Sequence, residues 1–115
     1  MMYGEMLTSL KNDCNAMASA IVSKDGSVVA SDVPEDISKE TFAIMSATIL
    51  GASTTAATEL KKEAPTRVVF ESEDTKTIIM NASRRRILVV VVPVSTESDL
   101  VEESSQVILT ALRKE

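Results

Sequence analysis

The spacing of apolar and polar positions changes several times along this chain. Between residues 3 and 14, Tyr3, Met6, Leu7, Leu10 and Cys14 fall three or four apart, with Glu5, Thr8, Lys11 and Asn12 between them. That is the spacing of a short amphipathic helix. Two β-prone runs follow, Met17 to Ser23 and Ser27 to Ser31, separated by Lys24-Asp25-Gly26. Asp-Gly between apolar runs predicts a hairpin, because glycine accepts the positive φ that a tight turn demands. Pro34, Glu35, Asp36 and Ser38 then supply the capping oxygens and negative charge that suit a helix start. The helix they open is expected to run about 25 residues, through Glu59, Lys61, Lys62 and Glu63, until Ala64-Pro65 stops it.

Beyond Pro65 the period shortens to that of strands. Arg67–Glu73 and Lys76–Ser83 flank Asp74-Thr75 as a second hairpin, and Arg84-Arg85-Arg86 makes the next turn. Ile87 to Val92, ILVVVV, does not alternate, which predicts a central strand covered on both faces and ended by Pro93. Residues 98–113 return to helical spacing, with Leu100, Val101, Ser104, Val107, Ile108, Ala111 and Leu112 on one side. Thr96 or Ser98 is placed to cap this helix, and Arg113 and Lys114 suit its negative dipole end. The expected order is αββαβββα. It describes a single α/β domain over residues 1–115, a three-layer sandwich in which helices flank both faces of a five-stranded, mainly antiparallel sheet.

The long helix carries the most unusual pattern. Thr41 to Thr58 contains no charged residue, although a quarter of the chain is charged. Phe42, Met45, Ile49, Ala52, Ala56 and Leu60 form one stripe, expected to face the domain's own sheet. The rest of the circumference would carry Lys and Glu if it met water, yet it shows Ala43, Ala47, Leu50, Gly51, Thr54, Ala57 and Thr58. A transmembrane span needs about 20 mostly apolar residues; this stretch is shorter and holds seven Ser or Thr. One alternative is a Ser/Thr/Ala-rich helix with a quiet solvent face; the favoured reading, a helix with its own sheet on one side and a second subunit on the other, accounts for both surfaces. Gly51 fits that reading, since a mid-helix glycine costs about 1 kcal/mol relative to alanine, a cost that close helix approach offsets. Ile44, Thr48 and Thr55 form a third row, a candidate for a partner or for rim contacts.

Composition narrows the function further. A net charge of −5 and a pI near 4.8 argue against phosphate-backbone binding, which rests on a basic surface. With only Tyr3, Phe42 and Phe70 as aromatics, the core must be aliphatic. The lone Cys14 has no internal disulfide partner and, without any histidine, no zinc cluster of usual composition, so a small buried hydrophobe is its expected role. The first residues lack a basic region followed by a long apolar one, so the expectation is a cytoplasmic protein without a leader or membrane insertion. The usual general base is missing, and neither GxxxxGK[ST] nor GxGxxG occurs. A non-enzyme that needs no cofactor or metal is expected. Glu71, Glu73 and Asp74 read as solvated turn acids, whereas Arg84-Arg85-Arg86 is the conspicuous basic run of an acidic chain, either a solvated turn or a contact for an acidic partner.

The element order, together with NAMASAIVSKDGSVVASD (15–32), the long alanine-rich helix and RVVFESEDTKTIIMNASRRRILVVVV (67–92), resembles the roadblock / dynein light-chain family over nearly the whole chain. The most specific part is the hairpin from Ala20 to Asp32, and the compact length is most similar to stand-alone prokaryotic members. This resemblance implies a profilin-like fold, a homodimer, and work as a non-enzymatic scaffold or regulator of a small Ras-like GTPase, sometimes as a GTPase-activating partner. The implied dimer seam joins the second helix and third strand of each copy into one continuous sheet. On this sequence that seam is Ala47, Leu50, Gly51, Thr54 and Thr58, with Arg67, Val68, Val69 and Phe70 as the pairing strand. Ile44, Thr48, Thr55 and Arg84, Arg85, Arg86 remain as partner contacts, and an arginine finger into the GTPase is the sharpest form of that idea. The alternative function is a small-ligand sensor with an apolar pocket between sheet and helices.

Overall fold

The unbroken run ILVVVV lies in strand β5 (Arg86–Pro93), the middle of a five-stranded sheet in the computed structural model, which describes residues 3–115. Around it stand β1 (Ala18–Ser23), β2 (Val28–Asp32), β3 (Arg67–Glu71) and β4 (Thr75–Asn81), in the order β2-β1-β5-β4-β3 with every pairing antiparallel. Val89 pairs with Ala20 on one side and Ile79 on the other, so a central residue meets apolar neighbours across both ladders. Both faces of β5 are covered, which explains its lack of alternation. Helix α1 (Tyr3–Cys14) lies on one face with α3 (Ser98–Ser104) and α4 (Gln106–Arg113); α2 (Lys39–Glu59) lies on the other. The expected order, five-stranded antiparallel sheet and three layers are all observed.

Local chemistry sets the element ends. Gly26 turns the first hairpin at φ +95°, and Ser27 N–H donates to Asp25 Oδ1 at 3.0 Å. Ser38 caps α2 by accepting from Thr41 N–H at 3.2 Å, as its position predicts. The helix stops at Glu59, short of the expected 25 residues, because Lys61 enters the left-handed region at φ +61°. There Lys62 N–H donates to Ala57 C=O and Lys61 N–H to Thr58 C=O, the paired bonds of a Schellman ending. Pro65 therefore follows a helix that has already ended.

The helices depart further from expectation. The expected core stripe of α2 is not the one that meets the sheet: Ala43, Ser46 and Leu50 are buried, while Met45 is 50 % exposed, Leu60 71 %, and Ala52 and Ala56 also face outward. Only Phe42 and Ile49 of that stripe touch the core, from its margin. The sheet supplies the bulk on this side through Val22, Ile79, Ile87 and Val89, so small Ala43 and Ser46 let the helix approach, and Leu50 is the large knob.

The C-terminal helix is likewise not continuous. It breaks at fully buried Ser105, where Val101 C=O accepts both the Ser105 hydroxyl at 2.7 Å and the Ser105 N–H at 3.0 Å, a back-bond of the kind that bends helices. Neither Thr96 nor Ser98 caps it: the N-cap is Glu97, without a side-chain bond. Leu100 and Val107 are exposed, and Leu109 fills the core in their place.

Candidate protein-interaction surface

The surface that distinguishes this molecule is the outer side of α2 together with the edge of β3. α2 crosses the sheet with Leu50 and Ala43 beneath it, which turns Ile44, Met45, Thr48, Gly51, Ala52, Thr55 and Ala56 outward. This outward surface has no charge. Its hydroxyls are already satisfied within the helix: Thr48 donates to Ile44 C=O, Thr54 to Leu50 C=O, Thr55 to Gly51 C=O and Thr58 to Thr54 C=O, all at 2.8–3.2 Å. Each threonine thus presents a methyl group outward with its donor occupied, and covering the surface would orphan none of these donors. A Cβ built on Gly51 meets nothing within 4 Å, so the space beyond this helix is open.

β3 is one of the two sheet edges, pairing on one side only, with β4. Its Val69 and Phe70 are exposed, the latter by 42 %, an uncommon position for one of only three aromatics. Arg67 is engaged within the chain: its guanidinium lies 2.9 Å from Asp99 and 2.8 Å from Glu102, which join β3 to α3 and raise its pKa, Asp99 foremost.

These positions divide the expected seam. Gly51 and Thr58 are exposed and Thr54 half-buried, so these three are accessible at the surface. Leu50 does not: it is 2 % exposed and packs on its own sheet, joined by Ala47 and Val68 from the margin of the same core. Of the third row, Ile44, Thr48 and Thr55 are exposed, with Ile44 lying against the first hairpin, 3.2 Å from a Cβ built on Gly26.

The arginine triplet also divides. Arg84 and Arg85 are exposed at the tip of the β4–β5 turn, where Ser83 Oγ accepts from both the Arg85 and Arg86 N–H groups. Arg86 turns inward instead. Its Nη1 donates to Ser23 Oγ at 2.6 Å and its Nε lies 2.8 Å from Glu115 Oε1, whose other oxygen accepts from the Tyr3 hydroxyl. Arg86 is therefore a structural tie and not a free partner contact. Nothing local in the sequence announces it, because Tyr3 and Glu115 stand 112 residues apart.

The Cys14 thiol is buried and pushed up by that burial, in keeping with a packing role. A hollow of about 210 Å³ lined by Met6, Leu10, Val107 and Ile108 together with polar Ser9, Asp13 and Ser104 opens between α1 and the two C-terminal helices, a different place from the space between sheet and helices that the alternative sensor reading would use. Among the described residues no helix is long and apolar enough to cross a membrane.

Comparison with known proteins agrees with this architecture. A model of the Roadblock/LC7 domain matches residues 2–92, which include α1, all five strands up to Val92, and α2. No curated protein matches the sequence. Among solved structures, Myxococcus xanthus MglB aligns with a TM-score of 0.88 at 20 % identity, covering 96 % of this chain and 84 % of that one. A Roadblock/LC7 domain from Streptomyces avermitilis aligns with a TM-score of 0.88 at 14 % identity, covering 96 % and 94 %. Schizosaccharomyces pombe profilin aligns with a TM-score of 0.66 at 17 % identity, again covering 96 % and 94 %, so the layering is profilin-like. The family model spans most of the chain and the fold agrees throughout: this chain belongs to the Roadblock/LC7 domain family.

Proposed function

We propose that this chain is a non-enzymatic homodimeric scaffold or regulator of a small Ras-like GTPase, working in the cytoplasm, with stimulation of GTP hydrolysis as one mode of action. The observation that carries the reading is the charge-free outer surface of α2 beside the unpaired edge of β3. An exposed edge strand is a template for another strand, and a second β3 satisfies it about a two-fold axis, giving a sheet of ten strands. Gly51, Thr54 and Thr58 with Val69 and Phe70 form the seam in this reading, and Leu50 supports it from beneath. Ile44, Thr48 and Thr55 remain outside the seam as contacts for the GTPase. Membership of the family supports the choice of partner.

Dimerisation is tested by light scattering at micromolar concentration. A seam of this kind buries about 1,200–2,000 Å² in total, and a monomer would overturn it. Gly51→Leu separates seam from fold: the protomer leaves space at this position, so the variant should become monomeric while its own thermal midpoint holds or rises. Partner choice is tested by size-exclusion chromatography with the small GTPases of the same genome, loaded with GDP or a GTP analogue. Binding in at least one nucleotide state is expected, and its absence in both removes the GTPase reading.

A further inference from the structure

We infer that the cleft between the β1–β2 and β4–β5 turns is a docking site for the carboxylates of a short acidic segment on a partner protein. The two turns are held side by side by Lys24 N–H donating to Arg85 C=O at 3.0 Å. Between them opens a cleft of about 260 Å³ lined by Ser23, Lys24, Asp25, Arg84, Arg85 and Arg86. Of these, Arg86 is fixed by Ser23 and Glu115. Arg84 and Arg85 stand exposed on the wall of the cleft, and among the described residues neither they nor Lys24 makes an ion pair. Asp25, the one carboxylate of the lining, already accepts the Ser27 N–H.

The placement of the other charges strengthens the case. The C-terminus of α4 reaches the same end of the sheet, where Arg113 Nε donates to Ala82 C=O. The acids Glu71, Glu73 and Asp74 lie at the opposite end, where Asp74 C=O accepts from Val94 N–H. This end sets Lys24, Arg84, Arg85, Arg86 and Arg113 against Asp25 and Glu115, and Glu115 is engaged by Arg86 and the Tyr3 hydroxyl, so cations outnumber acids around the cleft in a chain of net charge −5.

Chemistry selects the occupant. A guanidinium offers two parallel N–H groups to one carboxylate, so Arg84 and Arg85 suffice for two acidic side chains, with Lys24 as a third charge. An extended polyanion draws its affinity from about six to ten neutralised phosphates, more than this cleft provides. A short Asp/Glu segment matches both the number of cations and the size of the hollow.

The test is fluorescence anisotropy with a fluorescein-labelled DEDEDE peptide, with the NQNQNQ peptide as its neutral control. The intact protein should bind the acidic peptide alone. The double substitution Arg84→Ala and Arg85→Ala should weaken binding about tenfold or more, as should raising the salt from about 20 to 150 mM. Both positions are exposed, and an unchanged thermal midpoint verifies the fold of the variant. Equal binding of the neutral peptide, or full binding by the double variant, overturns the proposal. So does sedimentation with phosphatidylserine vesicles in the absence of any peptide binding, which would assign the patch to a membrane surface.

Discussion

Lys61 occupies the left-handed region that an L side chain enters at a cost. It does so because the Schellman bonds at the end of α2 require it, and the backbone there is otherwise well satisfied. Lys61→Gly should raise stability by about 0.5–1 kcal/mol, the relief of strain being reduced by the greater freedom of glycine in the unfolded chain. Thermal unfolding should report a midpoint higher by a few degrees. Asn15 ends α1 in the same way at φ 58°, with Ala16 N–H donating to Lys11 C=O, but asparagine tolerates that region well. Ser38 and Gly26 were readable from sequence because their chemistry acts within a few residues. Lys61 was not, since nothing in a lysine marks a helix end and Pro65 drew the expected stop several residues further on.

At the scale of the element, α2 shows how a pattern becomes ambiguous. Its residues are small or apolar around the whole circumference, so stripes through Met45 and through Leu50 satisfy the helical period equally well. The sheet chose between them, taking Ala43, Ser46 and Leu50 against its β-branched surface. Truncating Leu50 to Ala should cost about 2–4 kcal/mol in urea unfolding, because it leaves a cavity against the sheet. Met45→Ala should cost well under 1 kcal/mol in the protomer, given its exposure. A reversed ranking would restore the stripe that the periodicity suggested. β5 had no such ambiguity: six consecutive apolar residues leave neither face for water, whatever packs against them.

Across the whole molecule, Tyr3, Ser23, Arg86 and Glu115 tie both ends of the described chain to the middle of the sheet. The hydrogen bond from Tyr3, and then Arg86, hold the Glu115 carboxyl below its ordinary value of 4.5. The same hydrogen bond, with burial, raises Tyr3 above its ordinary 10.0. A lowered acid contributes stability above its unfolded value and loses it as pH falls through the folded one; a raised tyrosine contributes below 10.0 and loses it as pH rises. The tie should therefore be fully present between these limits. The difference in midpoint between the wild type and Glu115→Gln should be largest near neutral pH and shrink below about pH 4, while Tyr3→Phe should flatten the alkaline side. A difference independent of pH would place the contribution in packing.

What the sequence determined alone is whatever depends on neighbours a few residues apart: the two hairpins, the cap at Ser38, the central strand, the lack of charge from Thr41 to Thr58, and hence the order of elements. The family resemblance followed from the same stretches. Only the tertiary structure decided which side of α2 meets the sheet, that Leu50 is core, that Arg86 turns inward while Arg84 and Arg85 face out, and that the last helix bends at Ser105. Each of these rests on groups brought together from distant parts of the chain, where packing volume and hydrogen-bond satisfaction choose among alternatives that local periodicity leaves equal.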